Sequence, residues 1–280
     1  MKEYTSLFSR HKDQPAQEVF AFFPYDWKNG ETWETPYEKL AKNLARHEEW
    51  NFSRPEYKKR YKQKFPILIN YLNYTFLRVQ ELGRIGFSKD GSKACFNTGL
   101  QTSDEKDIYV TFFKNSRAGE KDQSDWTFFT FVDSYSSKLE PFRPLPELAT
   151  YINDASDLVF DTKLEIEVNF EHIIDQNTDR LPIEIQTNRR LALTAIKGAV
   201  ESIKSKVVRN YKVAIPHWYD GRLQLLLPLN LTSDTVADVA LVIDKDKQRN
   251  IYRARTVLSM DMAYIDARLI TRPDRDWLNP

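Results

Sequence analysis

Asn169 and His172 stand three residues apart in Asn169-Phe170-Glu171-His172-Ile173-Ile174, a spacing that puts both on one face of a helix. An imidazole can move a proton near neutral pH, and an amide can orient or polarise what it touches. Further along the same stretch come Arg180, Asn210, Lys212, His217 and Gln224. Arginine offers phosphate a planar fork and lysine a point charge; either could equally close an ion pair with Asp161, Glu165 or Asp179. Asn210 and Gln224 could bond a base edge or a sugar, or serve as a cap and a sheet-edge residue. His217 follows Pro216 at the lip of a loop entering a strand, and a second His would allow paired acid–base work on a 2′-hydroxyl. Asn97 and Thr98 add polar groups that could position a substrate. This predicts a catalytic set of His172, Lys212 and Asn169, with Arg180, Asn210, Asn97, Thr98, Gln224 and His217 on the substrate. Each has a plainer reading: a His bonded to backbone, an Asn capping a helix, or a lone loop His that is merely exposed. His11 and His47 sit among charges and read as surface residues.

The elements that must hold these groups are legible from periodicity. Thr35-Pro36 opens a helix whose buried face is Tyr37, Leu40, Ala41 and Leu44. Residues 66–82 form a second helix with Ile69, Leu72, Phe76 and Val79 on one side. A hairpin turns at Asp90-Gly91, and strands follow over 107–113 and 125–132. Short helices are expected over 145–152 and 169–176. The strongest helix covers 187–209, with Ala192, Ile196, Ala199, Val200, Ile203 and Val207 as its stripe. Strands over 223–229, 236–244 and 251–260 complete a sheet, and 264–270 is expected to add another. Residues 1–30 look irregular, with Phe20 to Pro24 as a docking hook.

These elements predict one α+β domain: a central, mainly antiparallel sheet, a helical cap over 1–83 and a core over 84–280 against which the long helix packs. No internal repeat is present. With 280 residues and 41% apolar content, the chain can bury a sizeable core. No apolar run reaches the ~18 residues of a membrane span, and Met1-Lys2-Glu3-Tyr4 does not begin a signal peptide, so a cytoplasmic protein is expected. A single cysteine, Cys95, excludes an internal disulfide and a cysteine-based zinc site. Only eight glycines are present, so a glycine-rich phosphate cradle is not expected. Aromatics reach 13%, enough for a packed aromatic core or a platform for stacking bases.

A net charge of +1 gives no global pull toward nucleic acid, so any such binding must be local. Two basic patches qualify. One is Arg54, Lys58, Lys59, Arg60, Lys62 and Lys64, with Tyr57 and Tyr61 interleaved. The other is Arg190, Lys197 and Lys204, whose seven-residue spacing drifts only ~20° per step along the long helix. A solvated helix face is the commoner meaning of such runs. Lys89-Asp90-Gly91 misses the spacing of an adenylating lysine by one residue. Asp154, Asp157 and Asp161 could collect a metal, but acids serve turns and caps as often; neither a metal nor a cofactor is expected.

Distributed segments carry a resemblance. They are Ile67 to Phe76, Phe96 to Leu100, Asn169 with His172, Arg180-Leu181-Pro182, Asn210-Tyr211-Lys212 with Ala214-Ile215-Pro216, Leu226 to Leu229, and Asp261 to Tyr264 with Ala267-Arg268-Leu269. Together they resemble an uncharacterised domain family of bacteria and fungi, a domain of unknown function often joined to the LOTUS (OST-HTH) RNA-binding domain. The resemblance implies an RNA-associated protein. With the polar groups above, it predicts phosphoryl transfer at RNA ends, as in RNA repair, processing or ligation, with RNA as partner. Two alternatives stand beside it: a non-catalytic RNA-binding module and a small-nucleotide sensor. The three differ in whether the polar groups converge in a deep pocket, line an open groove, or are buried in ion pairs.

Overall fold

Pro66 lacks the N–H that a helix leaves unpaired in its first turn, and it opens the helix Pro66–Glu81. On that helix Ile69, Leu72, Phe76 and Val79 are all buried, as their spacing predicts. The computed structural model describes residues 2–8, 14–270 and 278; His11 lies outside them. The chain divides into two compact units, Met1–Thr150 and Tyr151–Pro280. The division falls well beyond residue 83, because the N-terminal helices share their apolar residues with the strands that follow.

The first unit holds β1 (Ala21–Phe22), α1 (Thr35–Lys39), α2 (Pro55–Arg60), α3 (Pro66–Glu81), β2 (Gly86–Phe87), β3 (Lys93–Gln101), β4 (Asp107–Lys114) and β5 (Trp126–Asp133). The sheet order is β1-β5-β4-β3-β2; β1 runs parallel to β5 and the other pairs are antiparallel. α1 passes directly into a π-type turn over Leu40–Leu44. The core is aromatic. The Phe112 ring meets Phe20 edge-on at 5.1 Å and stacks with Phe96 at 6.0 Å. Phe23 stacks with Phe128 at 4.5 Å, so the expected hook around Phe20–Pro24 is a piece of core and edge strand. The Asp90-Gly91 turn forms as expected, with Gly91 at φ +68°. Residues 145–152, expected as a short helix, form neither helix nor strand. Their carbonyls are taken by side chains instead, Thr150 O by Arg78 and Leu148 O by Arg84, and Pro146 cannot donate to a helix.

The second unit has its own sheet, in the order β6-β10-β9-β8-β7. The strands are β6 (Ile166–Glu167), β7 (Ile215–Tyr219), β8 (Arg222–Leu229), β9 (Val239–Asp246) and β10 (Ile251–Ser259). Here β6 lies parallel to β10, and the remaining pairs are antiparallel. The α+β class therefore holds, with two mixed sheets in place of one central sheet. The helices are α4 (Phe170–Asn177), α5 (Ile183–Gln186), α6 (Arg189–Arg209) and α7 (Met260–Arg268). The α6 stripe, Ile196, Val200, Ile203 and Val207 among it, packs on Leu225, Leu227, Leu241 and Ile243. Strand side chains alternate, so Gln224, Leu226, Val242 and Asp244 point to the opposite face.

Two readings fail here for physical reasons. Residues 264–270 do not form a strand; they fall in and just after α7. Seven of its nine residues are buried, Asp261 and Asp266 among them, and an element buried on nearly every side, with acids among its buried residues, carries no clear apolar period to read. Residues Ile215–Tyr219, where His217 is expected at the lip of a loop entering a strand, form β7. Pro216 obscured it, yet β7 is an edge strand, where a missing N–H is tolerated. The hairpin to β8 turns through Asp220 and Gly221, both at positive φ, which is the backbone that Asp-Gly favours.

Candidate functional site

The expected site residues fall in both units. Asn97 and Thr98 lie in the first, on β3, and both are buried. Asn97 Nδ2 donates to Asp107 Oδ2 at 3.1 Å, and its Oδ1 accepts from the Gly99 N–H. The Thr98 hydroxyl donates to Ile108 O at 2.6 Å. These bonds sustain the irregularity where β3 leaves its register with β4 between Asn97 and Gln101. Gly99 sits there at φ +75°, and a Cβ would overlap the Tyr71 hydroxyl. The motif is thus a backbone device with its polar groups spent internally.

In the second unit, Asn169 is the N-cap of α4: its Oδ1 accepts from the His172 N–H at 3.1 Å. His172 is exposed, and among the described residues its ring makes no hydrogen bond or ion pair. Asn210 ends α6, and its Oδ1 accepts from the Lys212 N–H. Lys212 is exposed, and among the described residues no hydrogen bond or ion pair joins its ammonium or Asn210 to His172. Arg180 is half-buried and committed. Its Nη1 donates to Asn177 Oδ1 at 3.0 Å, Thr256 Oγ1 at 3.3 Å and Val257 O at 2.8 Å. That tether joins the end of α4 to β10, and among the described residues Arg180 forms no ion pair with Asp161, Glu165 or Asp179.

His217 is 1% exposed, not at a lip. It faces Gln224 across the β7–β8 ladder, and its Nδ1 lies 3.9 Å from Asp266 Oδ2 on α7. Among the described residues, neither ring nitrogen has a hydrogen-bond partner. Burial lowers the His217 pKa to about 3 and raises that of Asp266 to about 7. The result is a buried pair in which both groups are held toward neutrality. Gln224 also lines a small cleft of about 150 Å³ with Trp218, Asp244 and Lys245.

Of the basic patches, the Arg54–Lys64 group does not offer free rings. Tyr57 is buried and packs edge-on to Phe52, and Tyr61 stacks on Phe52 at 5.1 Å. Lys58 and Lys59 remain exposed on α2; Lys64 Nζ lies 3.7 Å from Glu38. On α6, Arg190 is exposed and Lys204 bonds Glu201 at 2.8 Å. The expected metal candidates are occupied by local structure. Asp154 and Asp161 accept from backbone N–H groups, and Asp157 pairs with Lys247. Among the described residues, no three His, Cys, Asp or Glu side chains gather as a ligand set.

One concave feature does join expected residues to new ones. A groove of about 660 Å³ runs beside the N-terminus of α4, lined by Asn169, Phe170, Lys197, Arg249, Arg253 and Arg255 among others. Lys197 Nζ sits 5.5 Å from the Phe170 ring centroid. Arg249 makes a two-pronged contact with Glu167 at 2.9 and 3.2 Å. Arg253 reaches Asp246 at 3.1 Å, and Arg255 reaches Asp244 at 2.8 Å. Each guanidinium has five donors, so these pairs orient the arginines without exhausting them. Arg249 escapes notice because 245–250 reads as a solvated turn, and Arg253 and Arg255 because the sequence does not give what lies beside their strand; three arginines within seven residues is the signal.

A family model for a domain of unknown function (DUF3825) matches residues 41–277. The chain belongs to that family. No curated protein and no solved structure matches it. The segments that carry the likeness have structural work in this DUF3825 chain. Asn73 on α3 accepts from the Leu7 N–H, Arg180 ties α4 to β10, and the Asn97–Leu100 segment breaks the β3 register. No described helix is long and apolar enough to cross a membrane.

Proposed function

We propose that this protein is an RNA-binding module of the cytoplasm whose second unit grips the sugar-phosphate chain in the groove beside α4. The observation that carries the reading is the groove itself: three arginines and a lysine around one aromatic ring, open to solvent. Arginine forks match phosphate oxygens in pairs, and a ring beside them gives a base something to rest on. The lining carries Glu167 and Glu171, and Asp246 and Asp244 pair with Arg253 and Arg255, so an RNA phosphate binds by competing with these acids for the donors that they leave open. The resemblance to a family often joined to the LOTUS RNA-binding domain supports the same partner. An open groove favours binding over phosphoryl transfer at RNA ends. The proposed acid–base group, His172, does not line it, and among the described residues no partner orients its ring.

The test is the salt dependence of single-stranded RNA binding, followed by fluorescence anisotropy. Each phosphate neutralised on a single strand contributes a slope of about −0.7 in log affinity against log salt. Reversing Lys197 and Arg249 to Glu should weaken binding and flatten the slope, with circular dichroism confirming the fold. An affinity indifferent to salt and to both changes overturns the reading. The same RNA, labelled at its end, reports any cleavage or joining, and loss of such turnover in His172→Ala would restore the catalytic alternative.

A further inference from the structure

In the first unit, Phe113 and Phe129 hold their rings in solvent, 39% and 42% exposed, with centroids 4.5 Å apart. Their exposure is built into the sheet. The β4–β5 register shifts between Thr111 and Phe112, so that Thr111 faces Thr130 and Phe112 faces Phe128. Phe129 is the extra residue of that bulge, a device that re-aims a side chain. Phe128 goes into the core against Phe23, and Phe129 turns toward Phe113. Farther along this face, the 3₁₀ segment Ser137–Phe142 covers Cys95, Tyr109 and Val132 with Leu139 and Phe142. The two phenylalanines are left outside that cover.

Each ring also has a lysine beside it. Lys138 Nζ lies 5.1 Å from the Phe129 centroid, and Lys93 Nζ lies 5.8 Å from that of Phe113. The pairing recurs at the opposite end of β4 and β5, where Lys106 Nζ is 5.1 Å from the ring of Tyr135, 78% exposed. Among the described residues, none of these three lysines is in an ion pair. An apolar protein partner would have to bury three unpaired ammoniums on this face. A single-stranded nucleic acid would not: bases stack on rings and phosphates neutralise the lysines between them.

We propose that this sheet face stacks the unpaired bases of an RNA strand. The inference rests on the RNA-binding reading above and adds the form of RNA, unpaired rather than duplex, and a second surface that receives it. Stacking is indifferent to base identity, because every base has a π-face, so the face selects single strands without selecting sequence.

The experiment compares three probes by anisotropy: a single-stranded RNA, the same strand in a duplex, and an abasic strand that keeps the sugar-phosphate chain. Wild type is expected to prefer the base-bearing single strand to both others. Replacing Phe113 and Phe129 by Leu keeps apolar bulk but removes the rings. It should weaken that strand roughly 10-fold or more and abolish the preference over the abasic strand. Replacing both by Tyr should retain the preference. Equal affinity of wild type for base-bearing and abasic strands overturns the inference, as does a preference that survives the Leu pair. Salt-dependent binding lost only on reversing Lys197 and Arg249 would overturn this inference alone. Absence of any RNA binding by wild type overturns both.

Discussion

The two sheets have the same strand count and the same mixture of one parallel and three antiparallel pairs, but they are packed with different residues. The first closes on rings: Phe20, Phe76, Phe96, Phe112 and Phe128 meet edge-on, stacked or tilted. The second closes on Leu, Ile and Val from α6, β8 and β9. Rings have preferred geometries, and a pair contributes about 0.5–1.5 kcal/mol beyond its buried area. Aliphatic side chains are non-directional and exchange for one another at small cost. Both units hold buried polar groups that are bonded, such as Asn97 and Thr98 in the first, and both hold some without a partner among the described residues, Tyr37 Oη and Thr75 Oγ1 in the first and the His217 ring nitrogens in the second. The difference between the units is therefore one of packing, directional in the first and non-directional in the second.

The most demanding way to break this comparison is at the cores. Phe112→Ala and Leu227→Ala remove fully or nearly fully buried side chains and should cost about 3–5 and 2–5 kcal/mol in urea unfolding. Those ranges overlap, so the conservative changes decide. Leu227→Met should cost under ~1.5 kcal/mol. Phe112→Leu should cost more, because it forfeits the contacts with Phe20 and Phe96 as well as volume. Equal losses for the two conservative changes would erase the distinction between the units.

The same contrast governs what the sequence discloses. α6 was legible because Ala192 to Val207 repeat with a helical period and Asn188 caps the start. The β8–β10 strands were legible as apolar runs between turns. α7 was not, because Met260 to Ala267 is buried on nearly every side. β7 was hidden by Pro216, and its burial of His217 depends on a face that only pairing with β8 defines. At the candidate site, Asn169 and Lys197 were singled out and do line the groove. Arg253 and Arg255 could be placed there only once β10 was known to lie beside α4.

The unbonded pair in the second unit gives a sharper test through pH. A histidine whose folded pKa is near 3 binds fewer protons than in the unfolded chain, where it is near 6.5. Stability from it is present above 6.5 and is lost as pH falls toward 3. An aspartate held near 7 against 3.8 unfolded behaves oppositely: its contribution is full below 3.8 and is lost as pH rises toward 7. Between about pH 4 and 6.5 the two slopes, each at most about 1.4 kcal/mol per pH unit, cancel. Unfolding followed against pH should therefore be flat there in wild type. Asp266→Asn should make stability climb with pH through this window, and His217→Gln should make it fall. Flat profiles in both variants would mean that neither group is desolvated as the fold requires.

Arg180 gives the smallest effect and separates structure from site most cleanly. Its Nη1 holds Asn177, Thr256 and Val257 together, and the Thr256 hydroxyl also donates to Asn177 Oδ1 at 2.7 Å. Arg180→Ala would take this donor from the Val257 carbonyl in a half-buried place, while Asn177 Oδ1 would keep the Thr256 hydroxyl. An unsatisfied group of this kind costs about 1–3 kcal/mol, and partial solvent access puts the expectation at the lower end. All three contacts use one nitrogen, and lysine also offers a single charged nitrogen with three donors, so Arg180→Lys should recover part of the loss. RNA affinity at a temperature where all variants are folded should be unchanged, because the guanidinium is turned toward β10 and does not line the groove. A variant that keeps its unfolding midpoint while losing RNA affinity would return Arg180 to the ligand. It would also mean that the contact between α4 and β10 is held by the aliphatic packing alone.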